Sequence, residues 1–219
     1  MADQASLNRL LQWGIENSDA SRKDSTTQFT DQQRDPTRGP NAAALAELLG
    51  GPSDADRMRE AMSAIVAPID QVDLENKLIA WDNFEQLIEQ IDNANNIESL
   101  GMWPPLLQQL DSPEPEMRKM AAWCMSTAVQ NNVKCQEKLL GVGAIPKLAK
   151  RAVNDENQAV RKKAVNALSS GVRNYQPGMD ELEKSLPESI WSRGQGLDAG
   201  DMDSVDEVIH KLRDQAVRS

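Results

Sequence analysis

The sequence predicts an all-α fold, and two observations carry that prediction. Residues 116–131 (EMRKMAAWCMSTAVQN) recur about 43 residues later as residues 159–174 (AVRKKAVNALSSGVRN), with apolar positions at helical spacing in both copies. From Asp56 onward the helix formers Ala, Leu, Glu, Gln, Lys and Met dominate, and no alternating strand pattern is found. A helical repeat of this period is typical of armadillo or HEAT units, which stack into a solenoid with a concave binding surface.

Charge and composition restrict the partners of such a solenoid. The 219 residues include 24 Lys and Arg against 34 Asp and Glu, a net charge of −10. This acidic balance argues against nucleic acid or an anionic membrane as the main partner. No signal-peptide pattern opens the chain, and no apolar run approaches the ~20 residues that span a bilayer, so we expect a cytosolic protein. Cys124 and Cys135 are expected to be free thiols in a reducing compartment.

The first 55 residues are predicted to differ from the rest of the chain. Within residues 1–17, Ser6–Asn17 is an amphipathic helix candidate. Residues 18–55 are predicted to be flexible, because residues 18–40 are polar and Pro-containing with little to bury. Inside that segment, residues 41–49, before Gly50-Gly51-Pro52, are expected to form either a short helix or a segment that binds a groove on a partner.

Residues 56–219 are predicted to form an armadillo-like repeat domain. Asp54 or Asp56 can cap a helix over Arg57–Val66, which Pro68 ends. A long helix over Asp73–Ile91 follows, and a polar loop is expected at Asp92–Asn96. The apolar stripe of the long helix comprises Leu74, Leu78, Trp81, Phe84, Leu87, Ile88 and Ile91.

Two similar helix pairs come next. Each begins with Gly and Pro near a helix start, at residues 101–105 and 143–146, and breaks at a polar loop, at residues 111–115 and 154–157. Lys163 interrupts the apolar face of the second copy, and its ammonium is expected to reach the edge of that face. The two faces comprise Met117, Met120, Ala121, Cys124, Met125 and Ala128, and then Val160, Lys163, Ala164, Ala167, Leu168 and Gly171.

The regularity weakens after Asn174. A turn is expected at Gln176-Pro177-Gly178, a short helix within Met179–Trp191 with a break at Pro187, and a loop over Gly194–Gly200. An amphipathic helix over Asp206–Val217 would close the solenoid as a terminal cap.

The sequence offers little for catalysis. His210 is the single histidine, so neither a histidine metal site nor a catalytic triad can be built around a second one. The two cysteines do not form a CxxC pair, and Gly141-Val142-Gly143 lacks the lysine and strand of a phosphate-binding loop. We therefore expect a binding protein without a cofactor or metal rather than an enzyme.

Polar residues recur outside the apolar faces. The positions of Arg118, Ser126 and Gln130 correspond to those of Arg161, Ser169 and Arg173, and amides follow each helix. These side chains, with the amides Asn131, Asn132 and Asn174, form either a polar ladder lining a partner-binding groove or a solvated face with helix-capping amides.

Two strings extend this interpretation. Residues 10–17 read LLQWGIEN, and residues 73–98 read DLENKLIAWDNFEQLIEQIDNANNIE. Together with GAIPKL and VRKKAVNALSSGVRN, they make the chain resemble the fungal Fes-type and animal HspBP-type nucleotide exchange factors, armadillo-repeat cochaperones of seventy-kilodalton heat-shock chaperones. The resemblance implies that the protein binds one lobe of the chaperone's nucleotide-binding domain, separates the lobes and releases ADP, which promotes client release.

The resemblance also implies which residues contact the chaperone. They would lie in the expected loop around Ala94, whose small side chain would allow close approach, and at the groove-side helix ends. An Ala94→Arg variant would then keep its fold and lose binding. The implied partner-binding residues are Asn93, Ala94, Asn95, Asn96, Arg118, Gln130, Asn131, Asn132, Arg161, Arg173 and Asn174. The chain departs from the family pattern after Asn174, where a recognisable fourth unit is expected and an irregular sequence stands.

Two rival functions remain open at this level. An import-receptor-like adaptor would place Asn four residues after Trp in successive units, but Trp81 is followed by Glu85 and Trp123 by Thr127. A scaffold without exchange activity would bind a partner regardless of nucleotide. No heptad seam or symmetric apolar patch is evident, so we expect a monomer.

Overall fold

A computed structural model describes residues 51–192, 194 and 196–218. The helices predicted over Ser6–Asn17 and residues 41–49, and the flexible segment as far as residue 50, lie outside these residues. The described part contains ten helices and no strand, which confirms the all-α prediction. The helices are α1 (Asp54–Val66), α2 (Leu74–Ile88), α3 (Ile91–Ser99), α4 (Trp103–Gln109), α5 (Pro115–Val129), α6 (Val133–Gly141), α7 (Ala144–Asn154), α8 (Gln158–Val172), α9 (Gln176–Ser185) and α10 (Met202–Arg218).

The helices repeat in groups of three, as armadillo-like units do. α3–α5 and α6–α8 are two complete units, and α1–α2 correspond to the second and third helices of a preceding one. The third helices α2, α5 and α8 have 15 residues each, and α5 packs between α2 and α8. α10 packs on the far side of α8. We call α2, α5, α8 and α10 the third-helix row.

Local capping explains where several helices begin. The Asp73 carboxylate accepts a hydrogen bond of 2.9 Å from the Asn76 amide at the start of α2. Asn157 caps α8 in the same way through the Ala159 amide. Proline stands in the first turn of α4, α5 and α9, where its missing N–H leaves no bond unmade.

One continuous apolar core runs through the units, and its composition follows the predicted faces. The six residues predicted for the apolar face of α5 are all buried. Small residues bring the helices close together, as at Gly171, where a Cβ would lie 2.9 Å from Leu139 Cδ2. The largest fully buried side chains include Trp81, Phe84, Trp103, Leu106, Leu110, Met125 and Trp191.

The expectation of a loop at Asp92–Asn96 is wrong. The chain breaks at Gln90, whose ψ of 127° is extended, and a new helix, α3, begins at once with Ile91. The amide-rich stretch is helical because Asn93, Ala94 and Ile97 share a face that is buried in the core. Ile91, predicted to extend the stripe of α2, is instead 57% exposed at the start of α3.

The two ends of the repeat region also differ from expectation. α1 begins at Asp54, so Asp54 and Ala55 are helical rather than part of a flexible segment. The turn expected at Gln176-Pro177-Gly178 is the first turn of α9, since Pro177 is tolerated there and Gly178 lies against the Gly171 carbonyl. α10 begins at Met202, four residues before the predicted start.

A fourth unit is present in part. α9 and α10 occupy the places of its first and third helices. The described residues between α9 and α10 form no helix, yet they contribute side chains to the core. These are Leu186, Trp191, Leu197 and Ala199. The irregular segment between α9 and α10 therefore takes the place of the second helix of this unit.

Candidate partner-binding surface

The outward side of α2, α5 and α8 is the candidate site, and we call it the row surface. An open depression of about 480 Å³ lies on it between α2 and α5. Its lining mixes carboxylates, amides and one aromatic ring: Glu85, Glu89, Trp123, Thr127, Gln130 and Asn131. Such a surface suits a polar protein partner better than a small apolar ligand.

Polar side chains bridge the helices across the row surface. The Thr127 hydroxyl on α5 donates a hydrogen bond of 2.7 Å to the Glu85 carboxylate on α2. The hydroxyls of Ser126 on α5 and Ser170 on α8 lie 3.3 Å apart. These contacts fix the three helices relative to one another and leave the surface pre-organised for a partner.

Trp123 and Lys163 form the aromatic part of the row surface. The other described tryptophans, Trp81, Trp103 and Trp191, are at most 2% exposed, whereas Trp123 is half-buried. The Lys163 ammonium lies 3.4 Å from the centroid of the Trp123 ring, a cation–π contact. Burial lowers the pKa of Lys163, and the Glu85 carboxylate partly opposes that shift. The ammonium reaches the surface edge, as predicted for this interruption of the apolar face.

Charge changes sign along the row surface. Asp82, Glu85 and Glu89 lie on the α2 side, and the one lysine of α2, Lys77, is buried elsewhere. Lys162 and Lys163 lie on α8. A partner that spans the surface therefore meets negative charge at one end and positive charge at the other.

Two equivalent turns end α5 and α8. Asn131 and Asn174 have positive φ values of 53° and 55°, a left-handed conformation that asparagine tolerates better than most residues. Gln130, Asn131 and Asn174 are exposed, and Arg173 is half-buried. Arg173 donates to the Ser169 hydroxyl at 3.2 Å and pairs with Asp206 of α10. These four residues are accessible to a partner, as their predicted role requires.

Arg118 and Arg161 do not line the surface. They are 4% and 1% exposed, so the expectation that they face away from the core is wrong. Arg118 donates to the carbonyls of Ser112 and Pro113 and to the Asp155 carboxylate. Arg161 donates to the carbonyls of Asp155 and Ala216. Both guanidinium groups satisfy buried backbone acceptors between helices.

Lys77 is the third member of this set. It is the fourth residue of α2, as Arg118 is of α5 and Arg161 of α8. It is 5% exposed, and its ammonium donates to the carbonyls of Ala64, Ile65 and Ala67 at the end of α1. Burial lowers the pKa of Lys77. A buried cation at this position therefore connects α2, α5 and α8 each to the segment of chain that precedes it.

The residues around Ala94 also serve packing. Ala94 is 2% exposed on α3, so the expectation that it is open to a partner is wrong. Asn93 is buried and donates to the Leu87 carbonyl and to Asp54. Asn132, 5% exposed, caps α6 and donates to the half-buried Asn95. Asn96 is half-buried.

Sequence reasoning found only part of the centre of the row surface. Lys163 stands out as an interruption of an apolar face, but neither the repeat nor the apolar stripes single out Glu85, Trp123 and Thr127, which lie there as well. The available signal was the polar or aromatic series Lys119, Trp123 and Thr127, spaced by four residues along one helix.

The described residues offer neither a metal site nor a membrane-spanning helix. Among them, no group of His, Cys, Asp and Glu side chains is arranged to hold a metal ion. Within the same residues, no helix is long and apolar enough to cross a membrane. Cys124 and Cys135 are both free, as predicted, and both are buried.

The fold and the row surface define a helical-repeat protein of the armadillo-like class with a polar surface suited to protein recognition. Its sequence matches the family model for the nucleotide exchange factor Fes1 over residues 7–97 and the model for the SIL1/FES1/HPBP1 C-terminal domain over residues 93–182. The chain belongs to the Fes1 family of nucleotide exchange factors.

Curated relatives agree over almost the whole chain. The chain is 50% identical over 208 residues to the Hsp70 nucleotide exchange factor FES1 of Coccidioides immitis, covering 95% of this chain and 97% of that protein. It is 50% identical over 217 residues to the protein of the same name from Gibberella zeae, covering 98% of each. The fes-1 protein of Neurospora crassa is 45% identical over 239 residues, with 96% and 97% covered.

Proposed function

We propose that this protein is a cochaperone that binds the nucleotide-binding domain of an Hsp70 chaperone and accelerates the release of ADP. The observation that carries the proposal is the 50% sequence identity, over nearly the full length of the chain, to proteins named Hsp70 nucleotide exchange factor. The row surface supports it, because a pre-organised polar surface on stacked helices is suited to holding a folded domain in one orientation.

Exchange follows from differential binding and needs no catalytic residue. A partner that binds the open, nucleotide-poor form of a domain more tightly than its closed form lowers the affinity for nucleotide by the same factor. A thousand-fold weakening of ADP binding needs about 4 kcal/mol of differential binding. This protein supplies that difference through surface contacts, and neither a cofactor nor a metal takes part.

Six exposed or half-buried residues keep their proposed role in binding, and two of them, Asn95 and Asn96, lie on α3. Gln130 and Asn131 follow α5, and Arg173 and Asn174 follow α8, at equivalent positions of adjacent units. The proposed protein acts as a cytosolic monomer. Its proposed parts are a helical segment at residues 1–17, a flexible segment at 18–53 and the repeat domain from Asp54 onward.

The release rate of a fluorescent ADP analogue from a cytosolic Hsp70 tests the proposal. We expect the full chain to accelerate release by tenfold or more, with saturation as its concentration rises. Added ADP should weaken the complex, because the two ligands favour different conformations of the chaperone. Binding that leaves both the release rate and the ADP affinity unchanged would instead identify an adaptor or scaffold.

A further inference from the structure

We propose that Lys163, supported by Trp123, is the central charged contact of the row surface and pairs with a carboxylate of the chaperone. The same geometry directs basic side chains of the chaperone toward Asp82 and Glu89. This inference rests on the proposed function and adds to it the chemistry and orientation of the bound partner.

The placement of Lys163 is unusual for a structural lysine. Its ammonium lies over the Trp123 ring, and it makes no ion pair with a carboxylate among the described residues. The surface lysines Lys119, Lys138 and Lys147 pair with a carboxylate of this chain, and Lys150 pairs with none among the described residues, so the contact with Trp123 is what sets Lys163 apart from them. The ring holds the Lys163 ammonium in place while leaving its other donors available.

The half-buried position of Lys163 should increase what a contact there contributes to the free energy of binding. Lys163 is half-buried between α5 and α8, so a partner would complete its removal from water. Tryptophan, tyrosine and arginine near the centre of an interface are the residues that most often dominate binding energy, and Trp123 is one of these types. Trp123 also contributes a rigid apolar face to the depression beside Glu85 and Glu89.

The charge sign along the row surface then sets the partner's orientation. Asp82 on α2 and Glu89, which directly follows α2, are exposed and make no ion pair with another described residue. Lys163 belongs to α8, and its ammonium reaches across Trp123 of α5 toward the Glu85 carboxylate. Asp82 and Glu89 mark the α2 side. A chaperone surface with acid over α8 and base over α2 is favoured, and the reversed orientation places like charges together.

Substitutions at Lys163 test the inference, with Lys150 as the matched control. Lys150 is exposed on α7, outside the row surface, and makes no ion pair with another described residue. We expect Lys163→Met to weaken binding to the chaperone's nucleotide-binding domain by about tenfold or more. Lys163→Glu should weaken it further, Lys163→Arg should restore most of the affinity, and Lys150→Met and Lys150→Glu should bind like the wild type.

Salt dependence separates a charge contact from a loss of packing. Affinities of the wild type and Lys163→Met are compared by calorimetry at roughly 50 and 300 mM salt. If Lys163 pairs with a carboxylate, the affinity of Lys163→Met should depend less on salt than that of the wild type. A packing defect would instead lower the affinity of the variant by the same factor at both salt concentrations. Unchanged helicity and thermal unfolding of the variants show that the fold is retained.

Three outcomes decide the matter. Tenfold weaker binding with reduced salt dependence at Lys163, and Glu89→Gln weaker than the matched Glu137→Gln on α6, supports the inference. A wild type that accelerates ADP release, with Lys163 variants that bind like the Lys150 variants, overturns the inference and leaves the proposed function standing. A wild type that neither binds nor accelerates release overturns both.

Discussion

Arg118 donates two hydrogen bonds of 2.8 Å to the carboxylate of Asp155, which lies in the next unit of the repeat. Both residues are buried, at 4% and 5% exposure. Arg151 adds a third contact to Asp155 at 3.3 Å and also pairs with Asp111. The two complete units are therefore joined by charge as well as by the apolar core.

Arg118→Met should destabilise the protein by about 3–5 kcal/mol, because it leaves the Asp155 carboxylate buried without its main partner. The free energy of unfolding in urea measures the effect. Lys119→Met is the matched control on the same helix, since its ion pair with Glu116 is partly exposed and should contribute about 1 kcal/mol or less. Equal losses in the two variants would contradict the structural importance of the Arg118–Asp155 pair.

The free energy of unfolding should decrease as pH falls below the ordinary pKa of an aspartate such as Asp155. Burial alone would raise the pKa of this carboxyl, but hydrogen bonds from Arg118 and the Asn157 amide hold it below its ordinary value of 3.8. The hydrogen bond from Lys147 likewise lowers the pKa of Asp111. Because the folded pKa values are depressed, their stabilising effect is present above the unfolded pKa and is lost as pH falls through the folded pKa.

Urea unfolding between pH 7 and roughly pH 2.5 tests this sign. We expect a plateau near neutral pH and a decline below about pH 4. Asp155→Asn should start from a lower free energy of unfolding and show a shallower decline in acid. An acid decline as steep as that of the wild type would mean that other carboxyls control the effect.

Ala94→Arg should lower the stability of the fold, and it should not weaken binding while leaving the fold intact. The side chain at position 94 is enclosed, so arginine must displace neighbours and carry a charge into the core. We expect thermal unfolding at a clearly lower temperature, with any loss of chaperone binding in proportion to lost folding. Asp92→Arg, at an exposed position of the same helix, is the control and should keep most of the stability. A stable Ala94→Arg protein that fails to bind would contradict this expectation.

Neither cysteine of the native protein should react quickly with a thiol reagent at pH 8. Burial raises the pKa of Cys135 to about 11, and burial raises that of Cys124 as well, with smaller contributions from Glu85 and Asp82. Little reactive thiolate is therefore present. Absorbance after adding Ellman's reagent measures the rate; denaturant should expose two thiols, and a Gln130→Cys variant should react at once. Rapid labelling of the native wild type would show that the core around these residues opens.

The sequence predicts those parts of the fold that depend on local periodicity. The apolar face of α5 and the presence of a long helix at α2 are visible in it, because each depends on spacing within one helix. The helical state of Asp92–Asn96 is not, since polar amides favour loops and only the tertiary burial of Asn93 and Ala94 reverses that preference.

The candidate site shows the same division. Repetition identifies Arg118 and Arg161 as equivalent, but it cannot tell a buried cation that binds carbonyls from one that faces a partner. Lys163 acquires its place from Trp123, a contact between two helices that no spacing rule contains. Long-range contacts of this kind are where single-sequence reasoning fails.

The left-handed turns at Asn131 and Asn174 make the protein extensible. A second copy of residues 132–174 inserted after Asn174 would leave the same kind of turn and add one helix to the row. The first Arg161, which now donates to the Ala216 carbonyl, would meet the second copy of Asp155 as Arg118 meets the first. We expect such a chain to gain helicity in circular dichroism; a loss of cooperative unfolding would show that the register is not transferable. The number of copies of residues 132–174 would therefore set the length of the row surface.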